Sequence, residues 1–385
     1  MDSLTRLHAA RDAAVYQYST LTAHAQNALV AKVLASGDLG MIGGHHVHDL
    51  ERRVAERVSR SGAVATSSAT TGIELLLRCL PTRPSQDRVV IPEVCWISVP
   101  TAVRRAGKAP VVAPVTSDLT PYWEQIEPLI GENTAAVILA HVRGRPAPDT
   151  RRIAEELAHR GVALIEDCAQ AWQVTLDGPH VGTHGIAAVF STQTYKLVAT
   201  GEGGLILADD TDLLDRLRAI GGDTRLPLPN NADGRGNDRM SELTAASALP
   251  QLDNLDWLTS TLHELQLQLI DVLERSPTTR QVLPERVTAR SSNGSLVGMW
   301  LPTADHARGL ANRLFRLGVR HWWPGRGDSH LAENWRLTQP ACHGLVDLRC
   351  YLDIQVPVLD EEHRAAYLEL VDRALHDGSG GGEHR

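Results

Sequence analysis

The sequence predicts an α/β fold, with a large domain built on a mostly parallel sheet flanked by helices and a smaller C-terminal domain behind it. Three observations lead there. Short apolar runs alternate with helical patterns from about residue 62 to 210. One run, Ala135-Ala136-Val137-Ile138-Leu139-Ala140, is almost continuously apolar, as a strand covered on both faces must be. After Gly221 the alternation gives way to a polar loop and a long helical pattern. Repeated βα units imply parallel strands with helices on both faces. At roughly 150 residues per domain, 385 residues hold two domains or three.

In order along the chain, Ala63-Val64-Ala65-Thr66 is a strand running into a helix over Thr70–Leu80. The strand Val89-Val90-Ile91-Pro92 follows, then a polar helical stretch, then Pro110-Val111-Val112. Beyond the apolar run at 135–140, Asp149–His159 reads as a helix, with Asp149 as N-cap, Ile153 and Leu157 on one face and Gly161 ending it. Val162-Ala163-Leu164-Ile165 and Leu205-Ile206-Leu207 are further strands. Pro227–Gly236, rich in Pro, Asn, Asp and Gly, is an exposed loop. Leu255, Leu258, Leu262, Leu265, Leu269 and Val272 then fall at steps of three and four, which marks a helix leading into the smaller domain. The expected boundaries are 1–252 for the N-terminal segment and large domain, 253–376 for the small one, and 377–385 for a disordered tail.

Composition excludes several classes. With 43% hydrophobic and 22% charged residues the chain is neither disordered nor fibrous. Its net charge of −8 and lack of a Lys/Arg block argue against nucleic acid as a partner. No apolar run reaches the roughly 20 residues of a membrane span, and Met1–Arg6 lacks the pattern of a signal peptide. Five cysteines (Cys79, Cys95, Cys168, Cys342, Cys350) form no CxxC pair, which suits a reducing cytosol. The expectation is a soluble cytoplasmic protein. Of 38 basic residues only Lys32, Lys108 and Lys196 are lysines, so a lysine kept against that bias is a candidate for amine chemistry.

In a doubly wound sheet, ligands sit at the carboxyl ends of the strands, and three segments fall there. Thr66-Ser67-Ser68-Ala69-Thr70-Thr71-Gly72 takes a strand into a helix start, where free amides and the helix dipole favour an anion such as phosphate. By itself it reads first as an ordinary Ser/Thr cap. Ile165-Glu166-Asp167-Cys168-Ala169-Gln170 ends a buried strand in carboxylates, which must be paired, whether in a site, a structural ion pair or a cap. Phe190-Ser191 through Lys196 to Gly201-Glu202-Gly203-Gly204 sets a lysine before a glycine-rich turn. A phosphate cradle, a buried carboxylate and a poised lysine together fit pyridoxal 5'-phosphate (PLP). The His45, His46, His48 cluster lacks a second ligand group at metal spacing, so no metal is expected. Cys168 is read as a buried structural thiol.

The ordered set Glu-Asp-x-Ala-Gln (166–170), Phe-Ser with lysine five residues on (190–196), Thr-Gly-Glu-Gly-Gly (200–204) and Asn-x-Arg-Met-Ser-Glu-Leu-x-Ala-Ala (237–246) resembles the DegT/DnrJ/EryC1/StrS sugar aminotransferases, from about Gly37 to Asp360. The resemblance implies a fold-type I PLP-dependent transferase with a small α+β C-terminal domain. It implies that Lys196 is the Schiff-base lysine and proton shuttle, and that Asp167 partners the pyridine nitrogen. Gln170 matches the residue near the phenolic oxygen, Ser191 with the backbone of Thr70 and Thr71 matches the phosphate site, and Trp96 matches the stacking aromatic. Asn237 and Arg239 match a segment that reaches the neighbouring subunit's phosphate, which implies a homodimer with shared active sites.

The implied reaction moves the amino group of L-glutamate or L-glutamine to a ketone on a sugar nucleotide, cyclitol or related intermediate of secondary metabolism, for which composition suggests an actinomycete antibiotic pathway. A dehydratase, eliminating or synthase relative and a non-catalytic regulator are the rivals. Family dehydratases carry histidine in place of the lysine, so Lys196 argues against that branch. The chain departs from the family at Ala69, at Ala113-Pro114-Val115, at His141-Val142-Arg143-Gly144, where His-x-Tyr-Gly is frequent, and at Ala171-Trp172-Gln173. Arg143, Trp172 and the Trp322-Trp323 pair are therefore expected to reshape the substrate pocket.

Overall fold

The apolar runs of the sequence become the strands of one sheet: β1 (Gly62–Thr66), β2 (Arg88–Pro92), β3 (Ala109–Ala113), β4 (Thr134–Ala140), β5 (Ala163–Asp167), β6 (Ala187–Ser191) and β7 (Gly204–Ala208). The computed structural model describes residues 3–230, 232, 234–284, 291–325 and 345–376. Cys342 and the tail expected to be disordered, 377–385, lie outside the described residues. Two units divide the chain: Gln17–Leu255 with Glu333–Leu345, and Met1–Tyr16 with Asp256–Ala332 and Val346–Arg385.

The larger unit carries the seven-stranded sheet in the order β1-β7-β6-β5-β4-β2-β3. Every pair from β3 across to β6 is parallel, while β7 runs antiparallel to both β6 and β1. The connection from Thr192 to Gly203 contains no helix and folds back at the same edge of the sheet, so that Gly204 pairs with Ser191. All seven residues of β4 are buried, as its composition demands.

Around this sheet the described α-helices are α1 (Ser3–Ala13), α2 (Ala23–Ser36), α3 (His46–Val58), α4 (Ala69–Cys79), α5 (Ser98–Arg105), α6 (Trp123–Ile126), α7 (Thr150–His159), α8 (Thr211–Gly221), α9 (Glu242–Glu274), α10 (Ala304–Arg316) and α11 (Glu361–His376). Helices α1, α10 and α11 belong to the smaller unit. Ile153 and Leu157 of α7 pack with Trp123 and Ile126 of α6 against Val90, Val137, Leu139 and Leu164 of the sheet. Asp149 stands at the N-cap position of α7 but does not cap it with its side chain. Its backbone (φ −90°, ψ 10°) is not extended, and its carboxylate accepts the Trp123 amide at 2.7 Å, anchoring α6 instead.

Strand register sets the site. Ala140 pairs with Asp167, and Gly204 pairs with both Ser191 and Thr66, so the carboxyl ends of β4, β5, β6 and β1 meet at one edge. Gly204 makes that edge possible: a Cβ there would run into the backbone of Ser68 and Ala69 at the start of α4.

Helix α9 starts directly after the polar loop and carries the chain from the larger unit into the smaller one. Its Leu255, Leu258, Leu262, Leu265, Leu269 and Val272 are all buried. Its first residue, Glu242, accepts the amides of His45 (3.1 Å), His46 (2.8 Å) and Val47 (2.9 Å) and the His46 Nδ1–H (2.8 Å). Glu242 thus caps α3 from the far end of the unit, and these bonds outweigh burial to hold its carboxyl below the usual range. The smaller unit holds an antiparallel sheet of β8 (Gln281–Leu283), β9 (Leu296–Trp300), β10 (His321–Trp322) and β11 (Tyr351–Gln355), in the order β10-β11-β9-β8. With α1, α10 and α11 beside it, the unit is α+β.

A Glu242→Ala variant strands three amides and an imidazole in a buried place. It should lose about 2–4 kcal/mol of stability, read as a lower urea midpoint with the slope unchanged.

Candidate active site

The sheet edge opens into a cleft of about 200 Å³ in the larger unit. Of the residues expected from the sequence, Thr70, Trp96, Asp167, Gln170, Ser191 and Lys196 line it; Ser68, Ser98, His141, Gln193 and Glu202 join them.

At the β1–α4 junction Ser68 is extended and its Oγ accepts the Thr71 amide at 3.1 Å. An N-cap serine reaches the third amide of its helix, so Thr71 is spent on the cap, and its hydroxyl hydrogen-bonds Ser68 (2.9 Å) and Ser67 (3.3 Å). Thr71 does not line the cleft. Ala69 and Thr70 do, and their amides, first and second in the helix, have no carbonyl four residues back to receive them. The cap and the anion site therefore coexist. Ser191 stands opposite at the end of β6; its Oγ accepts the Gln193 amide at 3.2 Å.

The acidic pair at the end of β5 separates by strand alternation. Glu166 faces inward, where Oε1 accepts the amides of His184 and Gly185 and Oε2 that of Gly182, each at 2.7 Å. The fourth donor is His141 Nε2 at 3.0 Å. His141 Nδ1 must be an acceptor, because the Ala147 amide points at it (3.0 Å); that fixes the proton on Nε2. Burial would raise the Glu166 carboxyl, but His141 and the amides of Gly182 and Gly185 bring it down to about 2. Glu166 is therefore a structural carboxylate, held by four hydrogen bonds rather than by an ion pair. Asp167 takes the other side and faces the cleft, with Oδ1 accepting the Ala169 amide at 3.0 Å. Burial pushes its carboxyl up against the pull of that amide and of Lys196.

Lys196 Nζ lies 5.6 Å from the centre of the Trp96 indole. Burial drives the amine down to about 8, with Asp167 opposing and the charge of Arg143 adding to the fall. Gln170 is oriented by a donor that has no alternative: the Arg143 amide meets its Oε1 at 2.8 Å, which assigns the oxygen to that side and the NH₂ to the other.

Asn237 and Arg239 are not brought to this cleft. Asn237 is exposed, and Arg239 pairs its backbone with Thr66 while its guanidinium donates to the Gly222 carbonyl. Trp172, expected to shape the substrate pocket, is buried instead, packed 5.0 Å from Phe190 and donating to the Ser191 carbonyl at 2.8 Å; it supports β6 from below. In the smaller unit Trp322 meets Tyr351 edge-on and Trp323 Nε1 donates to the Arg349 carbonyl at 2.8 Å.

Two groupings have metal-ligand geometry, His45–His46–Glu242 and His141–Glu166–Cys168. In each the carboxylate is already spent on backbone amides. Cys168 is fully buried, and burial lifts its thiol well above the usual range. Among the described residues no helix is long and apolar enough to cross a membrane.

Residues 21–320 match the model of the DegT/DnrJ/EryC1/StrS aminotransferase family, and the chain belongs to that family. A curated relative, the L-glutamine:2-deoxy-scyllo-inosose aminotransferase of Streptomyces kanamyceticus, is 30% identical over 264 residues, covering 63% of this chain and 61% of its own length. The crystal structure of DesI in the presence of its TDP-sugar product superposes with a TM-score of 0.78 at 26% identity, over 92% of this chain and 91% of that one. A GDP-4-keto-6-deoxymannose-3-dehydratase with a trapped PLP-glutamate geminal diamine gives a TM-score of 0.76 at 20% identity, over 90% of this chain and 97% of that one.

The group that the family points to is PLP. The donor set fits it: two open helix amides facing a serine hydroxyl for a phosphate, a buried carboxylate for a ring N–H, and a lowered amine for the aldehyde.

With only three lysines, the amines of the cofactor-free protein are separable by nuclear magnetic resonance of their methylated forms. One, assigned by its loss in Lys196→Ala, should titrate at about 8, well below the ordinary 10.5.

Proposed function

We propose that this chain is a PLP-dependent aminotransferase that moves the amino group of L-glutamate or L-glutamine to a ketone on a sugar nucleotide, a cyclitol or a related secondary-metabolite intermediate. The observation that carries the reading is Lys196: an amine lowered to about 8, set against Trp96 and electrostatically coupled to Asp167 in the same cleft. Bound there, PLP supplies an electron sink that weakens the bonds at the donor's α-carbon.

The residues supply the rest. The amides of Ala69 and Thr70 and the Ser191 hydroxyl hold the phosphate, with the α4 dipole behind them. Trp96 stacks on the ring. Asp167, kept ionised by the Ala169 amide and by the ring's own positive charge, holds the proton on the pyridine nitrogen. The Gln170 NH₂ donates to the phenolic oxygen. Lys196 Nζ, whose neutral form is far more populated at neutral pH than that of an ordinary lysine, takes the proton from the donor's α-carbon and passes it on across the same face. Asn237, exposed, and Arg239 on the same loop complete the phosphate site of a second copy, so the working unit is a homodimer with shared sites.

The support from relatives is their chemistry: one is named for an amino transfer from L-glutamine to a cyclitol ketone, another was crystallised with a TDP-sugar product. We place the enzyme in the cytoplasm, within antibiotic biosynthesis. Lys196 stands where a dehydratase of the family carries histidine, which favours amino transfer over elimination.

The test is the visible spectrum of the PLP-loaded protein. Addition of L-glutamate or L-glutamine should bleach the yellow band and name the donor, and Lys196→Ala should slow that bleaching at least about 100-fold. A band that neither amino acid moves overturns the amino-transfer reading, and a protein that takes up no PLP overturns the enzyme reading.

A further inference from the structure

One charged residue at the site has no counterpart in the family pattern. Arg143 stands where His-x-Tyr-Gly is frequent, in the short 3₁₀ turn Val142–Gly144 that leaves β4. Its backbone is left-handed (φ 59°, ψ 35°), a conformation a side chain of this size rarely adopts unless its surroundings impose it.

Here the surroundings do. On one side the Arg143 amide is held by Gln170 Oε1 at 2.8 Å, and Gln170 lines the cleft. On the other, the His141 ring takes the Ala147 amide at 3.0 Å, and the Arg145 amide closes on the Val142 carbonyl at 3.2 Å. His141 and Val142, the two residues before Arg143, line the cleft as well. The backbone of this half-buried arginine is therefore fixed at the margin of the cleft, between Val142 and the side chain of Gln170, and its charge is felt at Lys196.

We propose that the Arg143 guanidinium receives the α-carboxylate of the amino donor, which makes it the residue that orients the donor and rejects amines lacking that group. The inference rests on the amino-transfer reading. The donor nitrogen must occupy the place of the Lys196 amine, and an α-carboxylate lies two bonds from that nitrogen. A cation fixed beside the lysine is thus placed to meet it. The charged side chains that line the cleft are Lys196, Asp167 and Glu202; with Lys196 given to the amine, the two left are acidic, so the carboxylate needs a compensating cation from the cleft's margin. The planar guanidinium binds a carboxylate through two parallel hydrogen bonds, which fixes orientation as well as position. L-Glutamate and L-glutamine differ at the far end and share the α-carboxylate. A ring ketone carries no such group, so Arg143 acts on the donor half of the reaction.

The experiment follows the visible band of the PLP-loaded protein by stopped flow, with L-glutamate and L-glutamine against their α-amides. The native protein should favour each acid over its amide. Arg143→Gln should weaken the apparent affinity for the acids by about 10- to 100-fold, leave the amides within a few-fold, and so erase the preference. Arg143→Lys should restore part of it. Equal losses on acids and amides, or an unchanged preference, would overturn the proposal.

A second titration separates this outcome from failure of the amino-transfer reading. 2-Methyl-L-glutamate keeps the α-carboxylate but has no α-proton to lose, so its effect on the band reports binding without turnover. A tenfold or greater loss of that binding in Arg143→Gln supports the carboxylate site even in a protein that transfers no amine, and unchanged binding rejects it even in one that does.

Discussion

The Glu166 carboxylate is the constraint on which the rest of the site hangs. A charge this deep is tolerated only when every lone pair is answered, and three amides and an imidazole answer it. Those partners come from the segment leading into β6 and from the residue after β4, so one side chain ties two strand ends and a loop into a single rigid object. Its neighbour Asp167 inherits that rigidity and spends it on the opposite face. The division of labour follows from the two-residue period of a strand: one carboxylate is fully hydrogen-bonded inside while the next stays available outside.

The same tie reaches the turn that carries Arg143. His141 takes its proton state from Ala147 and passes its N–H to Glu166, while Gln170 is turned by the Arg143 amide. Each polar group here has its direction set by a donor that cannot act as an acceptor. Preorganisation of this kind lets a site present fixed dipoles to a reacting centre without rearranging them during the reaction. The lowered Lys196 amine is the electrostatic result: burial outweighs the favourable Asp167 charge, and Arg143 adds to burial.

Much of this was legible in the sequence, for identifiable reasons. The strand at 134–140 announced itself because a strand covered on both faces has no polar side to hide. Lys196, Asp167, Ser191, Gln170, Thr70 and Trp96 converge because strand ends in a parallel sheet gather at one edge. What escaped was whatever depends on a direction or a distant partner. Composition cannot say which of two adjacent acids points inward, although alternation narrows the choice. The cap at Asp149 failed because its carboxylate found a nearer claim in the Trp123 amide. Thr71 and Trp172 were assigned by position in a motif, and each turned to a local hydrogen bond instead. The antiparallel β7 escaped too, since a connection without a helix leads to a parallel strand after β5 and to an antiparallel one after β6.

Glu242 has a consequence for how the chain is assembled. The amino end of α3 is completed by a residue about two hundred positions later, at the start of the helix that leaves the larger unit. During synthesis that end emerges early with its donors exposed, and it stays unfinished until nearly the whole unit has left the ribosome. Closure over such a separation makes the unit's folding a late, all-or-none event, paced by its slowest long-range contact. A fragment stopping short of residue 242 contains every strand of the sheet and still lacks the stopper that lets its third helix be buried.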